Sequence, residues 1–141
     1  MDSPGGPKVM KVLLVVTGFI ETGAGLALMA FPAWTVGLLL GPALEASSPM
    51  AVVRTFGALL LALGIGCWLA SRDTQKPCAR RMVMVMTLYN PTTALALAAI
   101  GLKAVPPGIL LWPAVALHAG MAVWCIVRLV RGGPPVVEKA N

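Results

Sequence analysis

Hydrophobic positions fall into four long blocks separated by short polar breaks: Val9–Phe31, Met50–Ala70, Met82–Leu102 and Ile109–Leu129. Each approaches the ~20 residues that a helix needs to cross the hydrocarbon of a bilayer. Together they occupy most of the chain and leave no room for a soluble domain. The pattern predicts an all-α membrane protein, a four-transmembrane-helix bundle forming a single transmembrane domain over 1–141.

The breaks are rich in turn formers. "SRDTQKPCAR" joins the second and third blocks, and "KAVPPG" joins the third and fourth, where Pro106, Pro107 and Gly108 force a stop and a restart. The first break, "FPAWTVGLLLGPALEASSP", carries a short apolar segment from Val36 to Leu40 among Gly37, Gly41 and Pro42. It is too short to cross and is expected to lie in the headgroup region as an interfacial segment after the first helix. The tail over 132–141 is too polar and broken to fold and is expected to be a flexible cytoplasmic extension. No internal repeat is visible.

Composition sharpens this picture. The chain is 58% hydrophobic and 11% charged with mean hydropathy +0.86, whereas soluble domains run nearer half apolar and a quarter charged. A cleaved signal peptide is the competing account of the first block. Glu21 interrupts what would be its uncharged core, and the block outruns the usual ~7–15 apolar residues. A retained helix is expected.

The net charge of +6 changes the picture only through its distribution. Lys8 and Lys11 stand at the start of the first block, Arg72, Lys76, Arg80 and Arg81 fill the second break, and Arg128, Arg131 and Lys139 stand at and beyond the end of the fourth block. The first break has no basic residue and the last has only Lys103. This positive-inside bias places both termini and the middle loop in the cytoplasm, an N-in/C-in topology. Contact with anionic lipid headgroups accounts for the charge, so membrane lipids are expected partners and nucleic acid is not. The four tryptophans fit the same layout as interface anchors: Trp34 and Trp112 toward the outer ends, Trp68 and Trp124 toward the cytoplasmic ends. Three cysteines, Cys67, Cys78 and Cys125, fall on the cytoplasmic side without a C-x-x-C pair, and no disulfide is expected.

Small residues give a packing signal. Gly18, Thr22 and Gly25 form an edge on the first block, and Gly57 and Gly64 stand seven apart on the second. Such residues let backbones approach inside lipid, where hydrophobicity does not drive helices together.

Polar residues inside the blocks are the candidate chemistry. With ~1.5 Å of rise per residue and a core ~30 Å thick, Glu21, Asn90 and His118 come to nearly the same depth, about 12–18 Å from the cytoplasmic face. Tyr89 adjoins Asn90, and Arg54 sits about 10 Å nearer the outer face. A charge at a helix centre costs roughly 2.5–3.5 kcal/mol on insertion scales, so these groups are expected to turn inward and satisfy one another. Glu21, Asn90 and His118 form the expected midplane cluster, with Tyr89 or Arg54 as further members. Pro91 and Pro113 are expected to kink their helices and open the space between the third and fourth blocks. The alternation of Met82, Met84 and Met86 reads as lipid-facing or packing residues. One histidine supplies haem with a single nitrogen ligand, and no second histidine or clustered carboxylates accompany it. No metal site, cofactor or catalytic set is predicted.

Several stretches, "GLALMAFPAWTVGLLLGPAL", "RTFGALLLALGIGCWLA", "TLYNPTTALALAAIG" and "GILLWPAVALHA", together resemble a group of small four-helix bacterial membrane proteins with no established activity. The likeness runs from about Val12 to Val127. Its more specific parts are Arg54 with Gly57, Cys67-Trp68, Tyr89-Asn90, and Leu111-Trp112-Pro113 followed by His118. The resemblance implies the architecture and a place in the bacterial inner membrane. It departs from the group's pattern at Pro91 and Thr92, where an apolar pair is more usual. Two functions remain open: an accessory or structural subunit joined to other membrane proteins or to copies of itself, and a small transporter or binder of a proton, quinone, pigment or lipid at the midplane cluster. A membrane enzyme ranks third, because no nucleophile–base pair is present.

Overall fold

Residues 7–42, 49–73, 77–103 and 106–131 are described by the computed structural model. Among them the regular elements are all helices: α1 (Pro7–Ala30), α2 (Pro32–Leu40), α3 (Met50–Ser71), α4 (Pro77–Gly101) and α5 (Leu111–Arg131). At ~1.5 Å per residue, α1, α3, α4 and α5 each reach about 31–38 Å, enough to cross a bilayer core of ~30 Å, whereas α2 does not. These four are also the helices apolar enough to do so.

The helices pair as two antiparallel hairpins. In the first, α1 lies against α3, and glycine makes the contact close. A Cβ added at Gly18 would stand 3.0 Å from the Gly64 carbonyl oxygen, and one added at Gly25 would stand 2.6 Å from that of Gly57. Thr22 fills the space beside Gly64. The second hairpin sets α4 against α5, with Gly101 seated on Leu111. The start of α1, the end of α3, the start of α4 and the end of α5 therefore share one end of the bundle. That end carries Lys8, Lys11, Arg72, Arg80, Arg81, Arg128 and Arg131.

One apolar core joins the hairpins, and a second packs the far end of the first hairpin. The core nearer the basic end gathers Leu13, Leu14, Cys67, Ala70, Ala79, Val83, Met86, Met121 and Cys125 from all four long helices. A smaller one at the far end contains Leu28, Val36 and Leu60. Tyr89 packs against both. The outer surface is apolar too: Phe19, Leu88 and Leu95 are each more than 70% exposed, the arrangement expected when lipid is the solvent. Of the three methionines in alternation, Met86 is buried, Met84 is exposed and Met82 is half-buried.

Three local features sharpen or correct the sequence expectation, the first by giving the short non-crossing segment a shape. The first break contains a helix. Phe31 leaves the helical region before Pro32 (φ −129°, ψ 58°), which opens α2, because a residue preceding proline is pushed out of that region. Pro32 and Val36 are buried, so α2 is fastened to the bundle rather than lying loose. It ends at Gly41, whose φ of +97° suits only glycine, and whose close neighbour is the Pro106 carbonyl. Leu110 N–H donates to the Leu38 carbonyl at 2.9 Å, tying α2 to the start of α5.

Second, α4 begins at Pro77, so Cys78, Arg80 and Arg81 stand on the helix and not in the link. Third, Pro113 does not kink α5. The helix starts at Leu111, which puts Pro113 in the first turn, where its missing N–H has no helical acceptor to lose. Pro91 is interior to α4. The expectations for residues 43–48 of the first break and for the tail over 132–141 lie outside the described residues.

A polar cluster between the hairpins as the candidate functional site

The site is built outward from two adjacent residues of α4. Neighbours on a helix point about 100° apart, so Tyr89 and Asn90 address different partners at one height. The Tyr89 hydroxyl donates to Glu21 Oε2 on α1 at 2.9 Å, across the gap between hairpins. Asn90 turns to α5, where its Oδ1 lies 3.0 Å from His118 Nδ1. The rings of Tyr89 and His118 meet edge to face, 5.7 Å between centroids and 81° between planes, a favoured aromatic geometry. Glu21 is 2% exposed and Asn90 1%.

The hydrogen-bond roles follow from donor chemistry. Asn90 Nδ2 donates to the Met86 carbonyl at 2.9 Å, which leaves Oδ1 as the acceptor toward His118. The imidazole proton on that side therefore sits on Nδ1, and in the neutral ring Nε2 is the acceptor. Nε2 makes no hydrogen bond to a described residue, and the ring is half-buried.

The helix around Pro91 is supported by its own polar side chains. Thr87 and Thr92 hydroxyls donate to the carbonyls of Val83 and Leu88 at 2.8 and 2.7 Å. With Asn90 on Met86, three side chains bond to carbonyls one turn back on either side of the proline, a local bond that bends helices.

Glu21, Tyr89, Asn90 and His118 are thus brought together, and Arg54 is not. Its Nε donates to the Met29 carbonyl at 3.4 Å on the exposed surface. Met29 lies in the last turn of α1, whose final carbonyls lack helical donors, and the arginine supplies one. Thr35 does the same from α2, its hydroxyl reaching the carbonyls of Ala27 and Phe31 at 3.1 and 2.8 Å.

The burial of two polar residues went unnoticed in the sequence, where Arg128 was read only as part of the basic end. Thr17, one turn before Glu21, is buried with its hydroxyl on the Leu13 carbonyl at 2.9 Å. Arg128, in the last turn of α5, is only 3% exposed. Helical spacing could have found the first, since Thr17 and Glu21 are four apart on one face. The tryptophans are distributed as the chain order dictates: Trp34 on α2 and Trp112 at the start of α5 toward one end, Trp68 and Trp124 toward the basic end. Among the described residues no three His, Cys, Asp or Glu side chains converge on a common point.

Chemically, the arrangement can hold helices in register, and it can present one imidazole nitrogen as an acceptor at mid-height. Comparison of the chain with protein-family models, with curated proteins and with solved structures finds no match. Of what the resemblance implies, the architecture is present: a small all-helical protein with four apolar helices of membrane-spanning length.

Proposed function

We propose that the protein is a small structural or accessory subunit of a membrane assembly, joined to other membrane proteins or to copies of itself. The observation that carries this reading is the closure of the polar cluster. Each of its four side chains is engaged by another member, through hydrogen bonds or ring contact, and the carboxyl and amide are withdrawn from the surface. Groups satisfied in this way fix the register of helices, and a bond of this type contributes about 0.6 kcal/mol on average inside a membrane. By the positive-inside rule the basic end faces the cytoplasm. The bacterial inner membrane is the setting that the resemblance supplies.

Native mass spectrometry of the protein released from its source membrane into nanodiscs tests the reading. The expected result is a stable assembly with a second polypeptide or further copies. A lone chain with no second polypeptide or further copy, carrying a stoichiometric ligand other than a membrane phospholipid, would overturn it.

His118 favours a second reading, a binder or carrier of a proton or a lipophilic molecule such as a quinone, pigment or lipid. Its Nε2 is oriented as an acceptor at mid-height on a half-buried ring, and a hydroxyl-bearing ligand could donate to it. Under this reading the purified protein carries a chromophore or extractable ligand that His118→Ala and Glu21→Gln release. Under the structural reading those changes lower stability and release nothing.

A further inference from the structure

On the outer surface, Gly18, Phe19 and Thr22 of α1 and Ile65 and Trp68 of α3 line a groove of about 280 Å³. That is below the roughly 300–1,000 Å³ typical of drug-sized ligand sites, but a single hydrocarbon chain is slender enough for it. The walls are apolar and open: Phe19 is 73% exposed and Trp68 45%.

The groove has a charged mouth. Gly18 lies against Gly64 and Gly25 against Gly57, so the antiparallel register brings Lys11 level with Ser71 and Arg72. Lys11 precedes Gly18 by seven residues, two turns along the same face of α1. The Arg72 guanidinium stands 3.9 Å from the centroid of the Trp68 ring, at the groove's edge. Both cations are exposed. From Lys11 to Thr22 the path is ~16 Å at 1.5 Å per residue, a length suited to much of a fatty acyl chain.

We propose that this groove binds an anionic glycerophospholipid, its phosphate between Lys11 and Arg72 and one acyl chain along Phe19, Ile65 and Trp68. Charge selects this occupant. A second copy seated side by side in the same orientation would bring its own basic end against these cations, setting like charge against like. A lipid places its anion at the interface and its tail in hydrocarbon, matching the order of cations and apolar walls along the groove. The proposal does not depend on the accessory role or on the polar cluster, which lies inside the bundle.

The test is lipid retention by the purified full-length chain, read by native mass spectrometry after adding equal phosphatidylglycerol and phosphatidylcholine. Phosphatidylglycerol should be kept in preference. Lys11→Ala and Arg72→Ala should each lower its retention about fivefold, the effect of one basic residue at an anionic surface. Arg81→Ala, an exposed cation at the same end but on α4, should leave retention unchanged, and inorganic phosphate should not displace the lipid. In a variant with Trp34, Trp112 and Trp124 changed to Phe, phosphatidylglycerol with brominated chains should quench Trp68 fluorescence, and removing both cations should abolish the quenching. Equal retention of the two lipids, equal loss in Arg81→Ala, or a protein dimer that Lys11→Ala and Arg72→Ala dissolve in place of a bound lipid would each overturn the proposal.

Discussion

Tyr89 and Asn90 solve one problem at the level of single residues: how an acid, an amide and an imidazole share the middle of an apolar bundle. The tyrosine hydroxyl meets Glu21, the amide meets His118, and the two rings pack edge to face between them. That these residues lie at one depth was legible in the sequence, because depth follows from counting residues along a helix. Who pairs with whom was not, since pairing depends on how each helix is rotated about its axis, which four unbroken apolar blocks leave undetermined. Arg54 illustrates the limit: its height was readable, but its direction, toward the last turn of α1, was set by the orphan carbonyl of Met29. Replacing His118 by Phe keeps a flat ring beside Tyr89 and removes the donor to Asn90 Oδ1. Reversible unfolding in mixed micelles should register a loss of about 0.6–1.7 kcal/mol, while the circular dichroism of the folded state stays unchanged.

Among the elements, the α1–α3 contact is the most demanding in shape. Two glycines on each helix, seven residues apart, let the backbones touch, and a methyl group there would meet main-chain atoms that have no freedom to yield. Gly25→Ala should therefore destabilise the protein by about 1–3 kcal/mol, the usual effect of overpacking. Gly23→Ala, two residues away with nothing within 4 Å of the added Cβ, should be neutral or mildly stabilising in the same unfolding assay. The four long helices were readable because length and apolarity alone define them. The helical character of α2 was not: nine residues bounded by Pro32 and Gly41 give no periodic signal, and burial of Pro32 and Val36 against the bundle is what holds them. Pro113 was misjudged for a related reason. A shift of two residues in the start of α5, from 109 to 111, moves the proline from a position that breaks a helix to one that opens it.

The whole molecule is two antiparallel hairpins joined by an apolar core at the basic end, by the polar cluster, and at the far end by Tyr89 and the Leu110–Leu38 hydrogen bond. An even number of crossings puts both described chain ends beside the turn after α3. Single-cysteine variants at Lys8 and Arg131, together with native Cys78, should then label with an impermeant thiol reagent from one side of the membrane, and a cysteine at Lys103 from the other. Labelling of Lys8 and Arg131 positions from opposite sides would be incompatible with four spans. The fastening of the hairpins by Tyr89 is tested most directly by a double-mutant cycle of Glu21→Leu and Tyr89→Phe, with unfolding free energies measured in a bilayer. A coupling energy of about 0.6–1.7 kcal/mol between the two changes is the expected result. Effects that simply add, to within about 0.3 kcal/mol, would mean that the two side chains do not hold the hairpins together.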